Sequence, residues 1–295
     1  MLAGLQAVVD PADLVAVVNV GDDTVLHGLH ISPDLDTCTY TLAGAINPET
    51  GWGLVGESWN AMAALERYGG LTWFRLGDKD LATHLYRTHR LREGAPLSQV
   101  TAEITAGWDL RLRMLPVTDD PLATVVTLAE GGTVSFQDYF VRLQHGVPIT
   151  GVAFEGASTA RPAPGVLDAI AGAETVVVAP SNPIVSIGPL LAVPGVRDAI
   201  AARRDRTVAV SPIIGGAALK GPADRMLREL GHDVSVVGVA RLYAPLASVL
   251  VIDEVDAGLA PEVAAAGIRP VVAPTIMSTP ERAAALGRTV LECLS

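Results

Sequence analysis

The stretch "AVVNVGDDTVLHGLHISPDLDT", from Ala16 to Thr37, joins one short apolar run to four aspartates. The run Ala16–Val20 has the length and the β-branched content of a buried strand. Asp22 and Asp23 therefore follow the carboxyl end of that strand, which is the edge where open α/β sheets bind their ligands. The pattern predicts that one carboxylate of this pair binds a divalent cation. The alternative is a solvated turn in which an aspartate caps the next helix.

Similar apolar runs recur along the chain, and helical patterns lie between them. Each run is nearly continuous rather than alternating, which is typical of strands buried on both faces of a parallel sheet. The β-α-β alternation predicts an α/β fold with a doubly wound, mostly parallel sheet. The predicted strands are Leu14–Val20, Thr175–Ala179, Thr207–Val210, Val234–Val239, Val249–Ile252 and Pro270–Ala273, and the helices between them are Ala163–Ala173, Val196–Arg204, Gly221–Leu230 and Pro261–Ala266.

The segment 51–146 has a different pattern, which predicts a largely helical insertion beside the sheet. We therefore divide the chain into a core of residues 1–50 and 147–295 and an insertion that forms part of the ligand site. The insertion is predicted to contain the helices Ser58–Tyr68, Asp78–Arg92 and Ser98–Trp108, followed by a hairpin of Thr124–Leu128 and Thr133–Tyr139.

The charge balance restricts the partners of the protein. The chain has 295 residues and a net charge of −11, and it has no tract rich in Lys or Arg. A nucleic-acid partner is excluded on this basis, because nucleic-acid proteins usually display a basic face. The two cysteines have no paired spacing, which favours a reducing, cytoplasmic location. The uncharged run 175–196 contains four prolines, so we interpret it as strand, loop and short helix and not as a membrane span.

Asp34 and Asp36 lie two residues apart in the sequence SPDLDT. In an extended segment, residues i and i+2 share a face, so both carboxylates would reach one ion. Mg²⁺ accepts one or two carboxylates together with water and substrate phosphate oxygens. A capped turn is again the alternative, with Asp36 or Thr37 at the start of a helix Cys38–Ala43.

Two loops after predicted strands carry groups that bind phosphate. Ser181 and Asn182 follow the strand that ends at Ala179, and free backbone N–H groups follow them. After the next strand, Gly215 allows a close backbone approach and Lys220 supplies a positive charge. A rigid connection is the alternative for the first loop, and no Walker A loop, zinc motif or G-x-G-x-x-G is visible in the sequence.

Several motifs, taken in order, resemble the 2-phospho-L-lactate transferase family of coenzyme F420 biosynthesis. They are VVNVGDD, ISPDLDT, GWG, ESW, GDKDLATHL, LPVTDD, APSNPIVSIGPLLAVPG, SPIIGG and LKGPAD. The resemblance covers nearly the whole chain and is closest to the actinobacterial branch. The family usually opens with a strand and a GGVGG turn, whereas this sequence starts with MLAGLQAVVD, which reads as the following helix. We expect either a first strand upstream of Met1 or a truncated relative.

The resemblance implies a reaction. The donor is a guanosine diphosphate linked to a phosphoenolpyruvyl or 2-phospho-L-lactyl group, and the acceptor is the ribityl hydroxyl of the deazaflavin Fo. The products are (dehydro)coenzyme F420-0 and GMP. The resemblance also implies a Rossmann-like fold, a requirement for Mg²⁺ and a homodimer.

The resemblance assigns roles to particular residues. Asp22 and either Asp34 or Asp36 bind Mg²⁺, and Asp23 orients the acceptor hydroxyl and is the candidate base. The implied catalytic residues are thus Asp22, Asp23 and Asp36, the implied acceptor site includes Asp23, Asp78 and Thr83, and the implied donor site includes Ser181, Asn182, Gly215 and Lys220.

Two other functions are compatible with these motifs. One is a nucleotide- or nucleotide-sugar-binding regulator of the same superfamily, similar to the gluconeogenesis factor, without transferase activity. The other is an oxidoreductase that uses the deazaflavin as a cofactor. The motifs ISPDLDT and GDKDLATHL favour the transferase, because they would form the acceptor site.

Overall fold

The computed structural model describes residues 1–294, in which helices and strands alternate along most of the chain. The strands are β1 (Val15–Val18), β2 (Thr24–Leu26), β3 (Leu29–Ile31), β4 (Arg113–Pro116), β5 (Ala123–Leu128), β6 (Thr133–Ser135), β7 (Ile149–Glu155), β8 (Val176–Val178), β9 (Thr207–Val210), β10 (Ile213–Ile214), β11 (Ala217–Ala218), β12 (Val249–Ile252) and β13 (Arg269–Val272). The α-helices are α1 (Leu2–Gln6), α2 (Pro33–Leu42), α3 (Asn60–Arg67), α4 (Asp80–Arg92), α5 (Leu97–Gly107), α6 (Val166–Gly172), α7 (Gly188–Ala192), α8 (Val196–Ala202), α9 (Ala223–Glu229), α10 (Val236–Tyr243), α11 (Ala260–Ala265) and α12 (Pro280–Glu292).

Parallel strands form the centre of the molecule. One sheet has the order β13-β12-β9-β8, and a second pairs β1 with β4. Every residue of β9 and β12 is buried, which explains their continuous Val, Leu, Ile and Ala sequences. Within residues 1–294 the two sheets share no ladder, but Val18 of β1 and Val176 of β8 belong to the same apolar cluster. The predicted α/β fold with parallel sheets is confirmed.

Two antiparallel elements lie beside this centre. β5 pairs with β6 and β7 in a three-stranded sheet, and β2 pairs with β3 in a hairpin. The hairpin turns at His27 and Gly28, whose φ angles are +53° and +76°. Two positive φ angles are typical of the tight two-residue turns that match the twist of the strands. The hairpin packs its Leu26 and Ile31 against α3, in a cluster with Met62.

The sequence prediction was wrong at Val234–Val239, where the structure has the helix α10. Four to eight apolar residues in a row fit a buried strand and a buried helix equally well. The side chain of Ser235 accepts hydrogen bonds from the N–H groups of Val237 and Gly238, which starts a helix. Six of the eight residues of α10 are buried, so the helix needs no polar face.

The segment 51–146 contains α3, α4 and α5, as predicted, but it also contains β4, which the sequence prediction missed. Because β4 pairs with β1, this segment supplies one strand of the parallel core. Its predicted hairpin is present, although residues after Ser135 enter a helical turn at Asp138–Arg142. The division of the chain at residues 51 and 146 stays a prediction.

The run 175–196 forms β8, a helical turn at Pro183–Ile187 and α7, in agreement with the predicted strand, loop and short helix. Across residues 1–294, no single helix has the length and apolar composition to cross a membrane. One pair, Pro183–Ala192 with Val196–Ala202, meets those two criteria together but is bent by 97°.

Candidate active site

Gly21 joins three parts of the chain at the carboxyl end of β1. Its carbonyl accepts a hydrogen bond from the N–H of Thr124 at 2.6 Å, and its own N–H donates to Asn19 Oδ1 at 2.8 Å. A Cβ at this position would lie 2.7 Å from Thr124 Oγ1 and 3.0 Å from Pro189 Cβ. Glycine is therefore needed here, because it lets the residues after β1 lie directly against β5 and the start of α7.

Asp22 and Asp34 meet at this junction, with Asn19 between them. Asn19 is 4% exposed, and its Nδ2 donates to Asp34 Oδ2 at 2.9 Å. Asp22 is 7% exposed, and its buried Oδ1 has no hydrogen-bond partner among residues 1–294. Burial, and then the negative charge of Asp34, raise the pKa of the Asp22 carboxyl well above its usual value. The geometry thus brings together two carboxylates that repel each other.

The prediction that Asp34 and Asp36 share one face is wrong. Helix α2 begins at Pro33, so both aspartates lie in its first turn and not in an extended segment. Two residues apart on a helix differ by about 200° in direction. Asp34 accordingly contacts Asn19, whereas Asp36 pairs with Arg87.

Asp36 is held in a buried polar cluster on α2 and α4. Arg87 donates from Nη1 to Asp36 Oδ2 at 3.1 Å, and its Nη2 bonds Asp36 Oδ1. His84 Nε2 lies 3.2 Å from Asp80 Oδ2, and the Tyr40 hydroxyl donates to Asp80 Oδ1 at 2.5 Å. Asp36, Asp80 and His84 are close enough together to bind a metal ion, but the bidentate guanidinium already satisfies Asp36.

Asp23 contacts side chains at and just after the end of the β2–β3 hairpin. Its Oδ2 accepts a hydrogen bond from Ser32 Oγ at 2.6 Å and lies 3.9 Å from His30 Nδ1. Burial raises the pKa of the Asp23 carboxyl well above its usual value, although Ser32 and Arg87 oppose the rise. Its Oδ1 is buried and finds no partner in the described part of the chain.

Asp78 and Thr83 have internal partners. Asp78 Oδ2 accepts from Ser58 Oγ at 2.6 Å and from the backbone and side-chain nitrogens of Asn60, and Oδ1 accepts from Ala61 N. These bonds, that from Ser58 above all, hold the pKa of Asp78 below its usual range and fix the start of α3. The Thr83 hydroxyl donates to the Tyr40 oxygen at 2.8 Å, because the Tyr40 proton is already given to Asp80.

The four predicted donor residues lie in loops that follow β8 and β9. Asn182 Oδ1 caps the turn Pro183–Ile187 by accepting from Ile184 N at 2.9 Å, and Ser181 is its half-buried neighbour. Gly215 has φ +58° and donates its N–H to Asp256 Oδ2 at 2.9 Å. Lys220 is exposed and forms no ion pair within residues 1–294.

Asn19 and Arg87 were not among the predicted site residues. Asn19 was detectable, because it is the single polar residue inside the apolar run that forms β1 and its end. Arg87 lies on a predicted helix that spacing alone favours as an ordinary surface helix, and only the folded chain shows that Arg87 is 1% exposed.

The fold resembles that of solved proteins. Two crystal structures of a Bacillus halodurans protein, described in one of them as a member of the UPF0052 family, align with TM-scores of 0.61 and 0.63. Identity is 16% and 14%, and each alignment covers 98% of this chain and 94% of the other. The similarity supports a Rossmann-like α/β fold.

The sequence comparisons define the family. The 2-phospho-L-lactate transferase CofD family matches residues 1–280. A phosphoenolpyruvate transferase of Kitasatospora aureofaciens is 46% identical over 98% of this chain and 92% of that protein. Those of Streptomyces griseus and Mycolicibacterium smegmatis are 45% and 41% identical, over 99% and 95% of this chain and 93% and 88% of theirs. The chain belongs to the 2-phospho-L-lactate transferase CofD family and is a transferase, which confirms the resemblance predicted from the motifs.

Proposed function

We propose that the chain transfers a phosphoenolpyruvyl group from a guanosine-diphosphate-linked donor to the ribityl hydroxyl of Fo. The products would be dehydrocoenzyme F420-0 and GMP. The names of the actinobacterial relatives favour the phosphoenolpyruvyl donor over its 2-phospho-L-lactyl counterpart. One observation carries the proposal: Asp22 and Asp34 lie together at the sheet edge that binds ligands, and none of the described residues supplies a positive charge to Asp22.

Mg²⁺ fits this pair of carboxylates. Asp22 offers a buried oxygen without a partner, and Asp34 is fixed beside it by Asn19. Two carboxylates with room for phosphate oxygens are the ligand set that Mg²⁺ prefers. We assign the metal to Asp22 and Asp34 and not to Asp36, which Arg87 occupies. When bound, the ion would offset the charge of the donor diphosphate.

Asp23 would orient the acceptor and take its proton. The hydroxyl oxygen forms a bond to the phosphorus that carries the enolpyruvyl group, and the bond from that phosphorus to the oxygen of GMP breaks. The hydroxyl proton passes to Asp23, whose raised pKa makes it a better base than an exposed aspartate. Positioning contributes most, because an alcohol is a weak acid.

The donor would lie along the loops after β8 and β9. The contact of Gly21 with Pro189 brings the start of α7, which follows the first of these loops, against the end of β1. We place the donor diphosphate at Ser181 and Asn182, with the ion at Asp22 beside it. Gly215 would approach the nucleotide through its backbone, and the unpaired ammonium of Lys220 would contact a phosphate. Asp78 and Thr83 would then shape the acceptor site indirectly, through α3 and Tyr40.

The test is a direct assay of the products. Purified protein is mixed with Fo, the phosphoenolpyruvyl donor and Mg²⁺, and GMP and dehydrocoenzyme F420-0 are measured by mass spectrometry. We expect both products in equal amounts, and neither when Fo or Mg²⁺ is left out. Binding of donor without any product would support a regulator instead. Light scattering on the same sample tests the homodimer that the family resemblance implies.

A further inference from the structure

Asp22 and Asp23 lie in a tight turn that follows β1, and one peptide group joins the two residues. The N–H of Asp23 donates to the carbonyl of Val20 at 3.2 Å and closes the turn. The carbonyl of the joining peptide belongs to Asp22 and accepts a hydrogen bond from Gln137 Nε2 at 3.0 Å. The plane of this peptide contains the Cα atoms of both aspartates, so its orientation affects the directions of both side chains.

Gln137 reaches this turn from a distant part of the chain. It lies 115 residues from Asp22 in the sequence, directly before the helical turn Asp138–Arg142. Its side chain is 7% exposed, although glutamine is mostly exposed in folded proteins. Buried polar side chains are generally hydrogen-bonded, and the contact with Asp22 supplies this bond.

The backbone around Gln137 is supported by packing. Phe136 and Tyr139 are 8% and 0% exposed, and both belong to an apolar cluster with Val126 of β5. The same strand also donates a backbone hydrogen bond to the carbonyl of Gly21. The amide of Gln137 is therefore presented from a packed support, which is what a group needs in order to orient another.

The two carboxylates of the turn have different partners. Asp22 lies beside Asp34, whereas Asp23 accepts a hydrogen bond from Ser32 Oγ at 2.6 Å. A rotation of the joining peptide would change both arrangements at once. A displacement of about 1 Å can lower a catalytic rate on the order of a hundredfold, so the bond from Gln137 bears on both proposed roles.

We propose that Gln137 is a positioning residue: its amide holds the peptide between Asp22 and Asp23 and so sets the metal ligand and the base relative to each other. The inference rests on the proposed function, because the roles of the two aspartates come from there. Gln137 acts through the backbone of the turn and takes no part in the proton transfer itself.

The test uses two variants of Gln137 and one matched control. Gln137→Met keeps the length of the side chain but cannot donate, and Gln137→Asn keeps the amide but is one methylene shorter. The control is Gln99→Met on α5, where the exposed Gln99 donates from Nε2 to Glu103 Oε1 at 2.9 Å. The control thus loses the same kind of hydrogen bond away from the turn. Circular dichroism and thermal unfolding check that each variant is folded.

Calorimetric titration with MgCl2 gives the dissociation constant for Mg²⁺, and steady-state assays give kcat and KM. In both Gln137 variants we expect the dissociation constant to rise about tenfold and kcat at saturating Mg²⁺ to fall about tenfold or more. KM for Fo and for the donor should stay unchanged, and the control should match the wild type. If Gln137 only stabilised the fold, its variants would melt earlier but keep the dissociation constant and kcat of the wild type, which would overturn the inference.

The titration with MgCl2 also separates this inference from the proposed function. If the wild type forms GMP and the Gln137 variants keep its dissociation constant and kcat, the positioning role is wrong and the proposed function stands. If the wild type forms no GMP, the proposed function fails, and the titration alone decides on Gln137. A weaker affinity for Mg²⁺ in both variants would then support the positioning role. Equal affinities, or no binding of Mg²⁺ to the wild type, would overturn it.

Discussion

Helix α2 contributes one aspartate to each of two acidic groups, Asp34 to one and Asp36 to the other, and the two groups differ in what surrounds them. Asp36 is bonded to Arg87 and lies 3.6 Å from His84 Nδ1. Asp22 lies beside Asp34, and Asn19 is the polar side chain between them. Burial raises the pKa of both Asp22 and Asp36, but Arg87 opposes the rise at Asp36, whereas the charge of Asp34 adds to it at Asp22. Burial is common to both groups, so our assignment of the functional site to Asp22 depends on its missing counter-charge.

The first prediction concerns the group without a counter-charge and has the largest expected effect. Asp22→Asn should lower the rate of transfer about a thousandfold or more, because it would remove a ligand of the Mg²⁺ that we propose stabilises the transition state. Its melting temperature should stay unchanged or rise, since a repelled buried charge is lost. Product formation by mass spectrometry and thermal unfolding measure the two effects. Turnover like that of the wild type would remove Asp22 from the metal site.

The second prediction concerns the paired group. Arg87→Met should lower the free energy of unfolding by about 3 kcal/mol, because it leaves the Asp36 carboxylate buried without its partner. Arg87→Lys should recover part of this loss, since lysine keeps the charge but not the two-pronged geometry. Urea denaturation followed by circular dichroism gives both values. If Arg87→Met were as stable as the wild type, the ion pair would not be the structural element we describe.

The third prediction separates the two groups by metal binding. Mg²⁺ at one hundred times its dissociation constant should stabilise the wild type by about 2.7 kcal/mol. Asp22→Asn and Asp34→Asn should lose this stabilisation by Mg²⁺. Asp36→Asn should keep it, although its free energy of unfolding without Mg²⁺ is lower than that of the wild type. Melting curves with and without Mg²⁺ provide the comparison. A loss confined to Asp36→Asn would reverse our assignment.

The smallest effect is expected at His30, which lies between the groups. Burial, and then the charges of Arg87 and His84, lower its pKa to about 4. The unfolded chain, with an ordinary value of about 6.5, therefore binds more protons between these values, and stability is lost as the pH falls. Relative to His30→Gln, the wild type should lose roughly 1–2 kcal/mol from pH 7 to pH 4.5.

The contribution of His30 is the difference between the free energies of unfolding of the wild type and of His30→Gln at each pH. The aspartates with raised pKa values act in the opposite direction, but both proteins contain them and their contribution cancels. Urea denaturation at several pH values gives the two curves. Parallel curves would show that His30 titrates alike in the folded and unfolded chains.

The sequence by itself determined most of the local structure and the family. The runs that became β1, β8, β9, β12 and β13 were predicted because apolar content and strand length are local properties. The same holds for the position of Asp22 just after a buried strand. The motifs identified the transferase family because they are long and ordered along nearly the whole chain.

The tertiary structure alone decided the partners of each charge. Asp34 and Asp36 look equivalent in the sequence, but α2 turns them apart, and Arg87 reaches Asp36 from 51 residues away in the chain. The pairing of β4 with β1 likewise joins segments far apart in sequence. The physical reason is that electrostatic and hydrogen-bond partners depend on distance in space, which a local pattern does not encode.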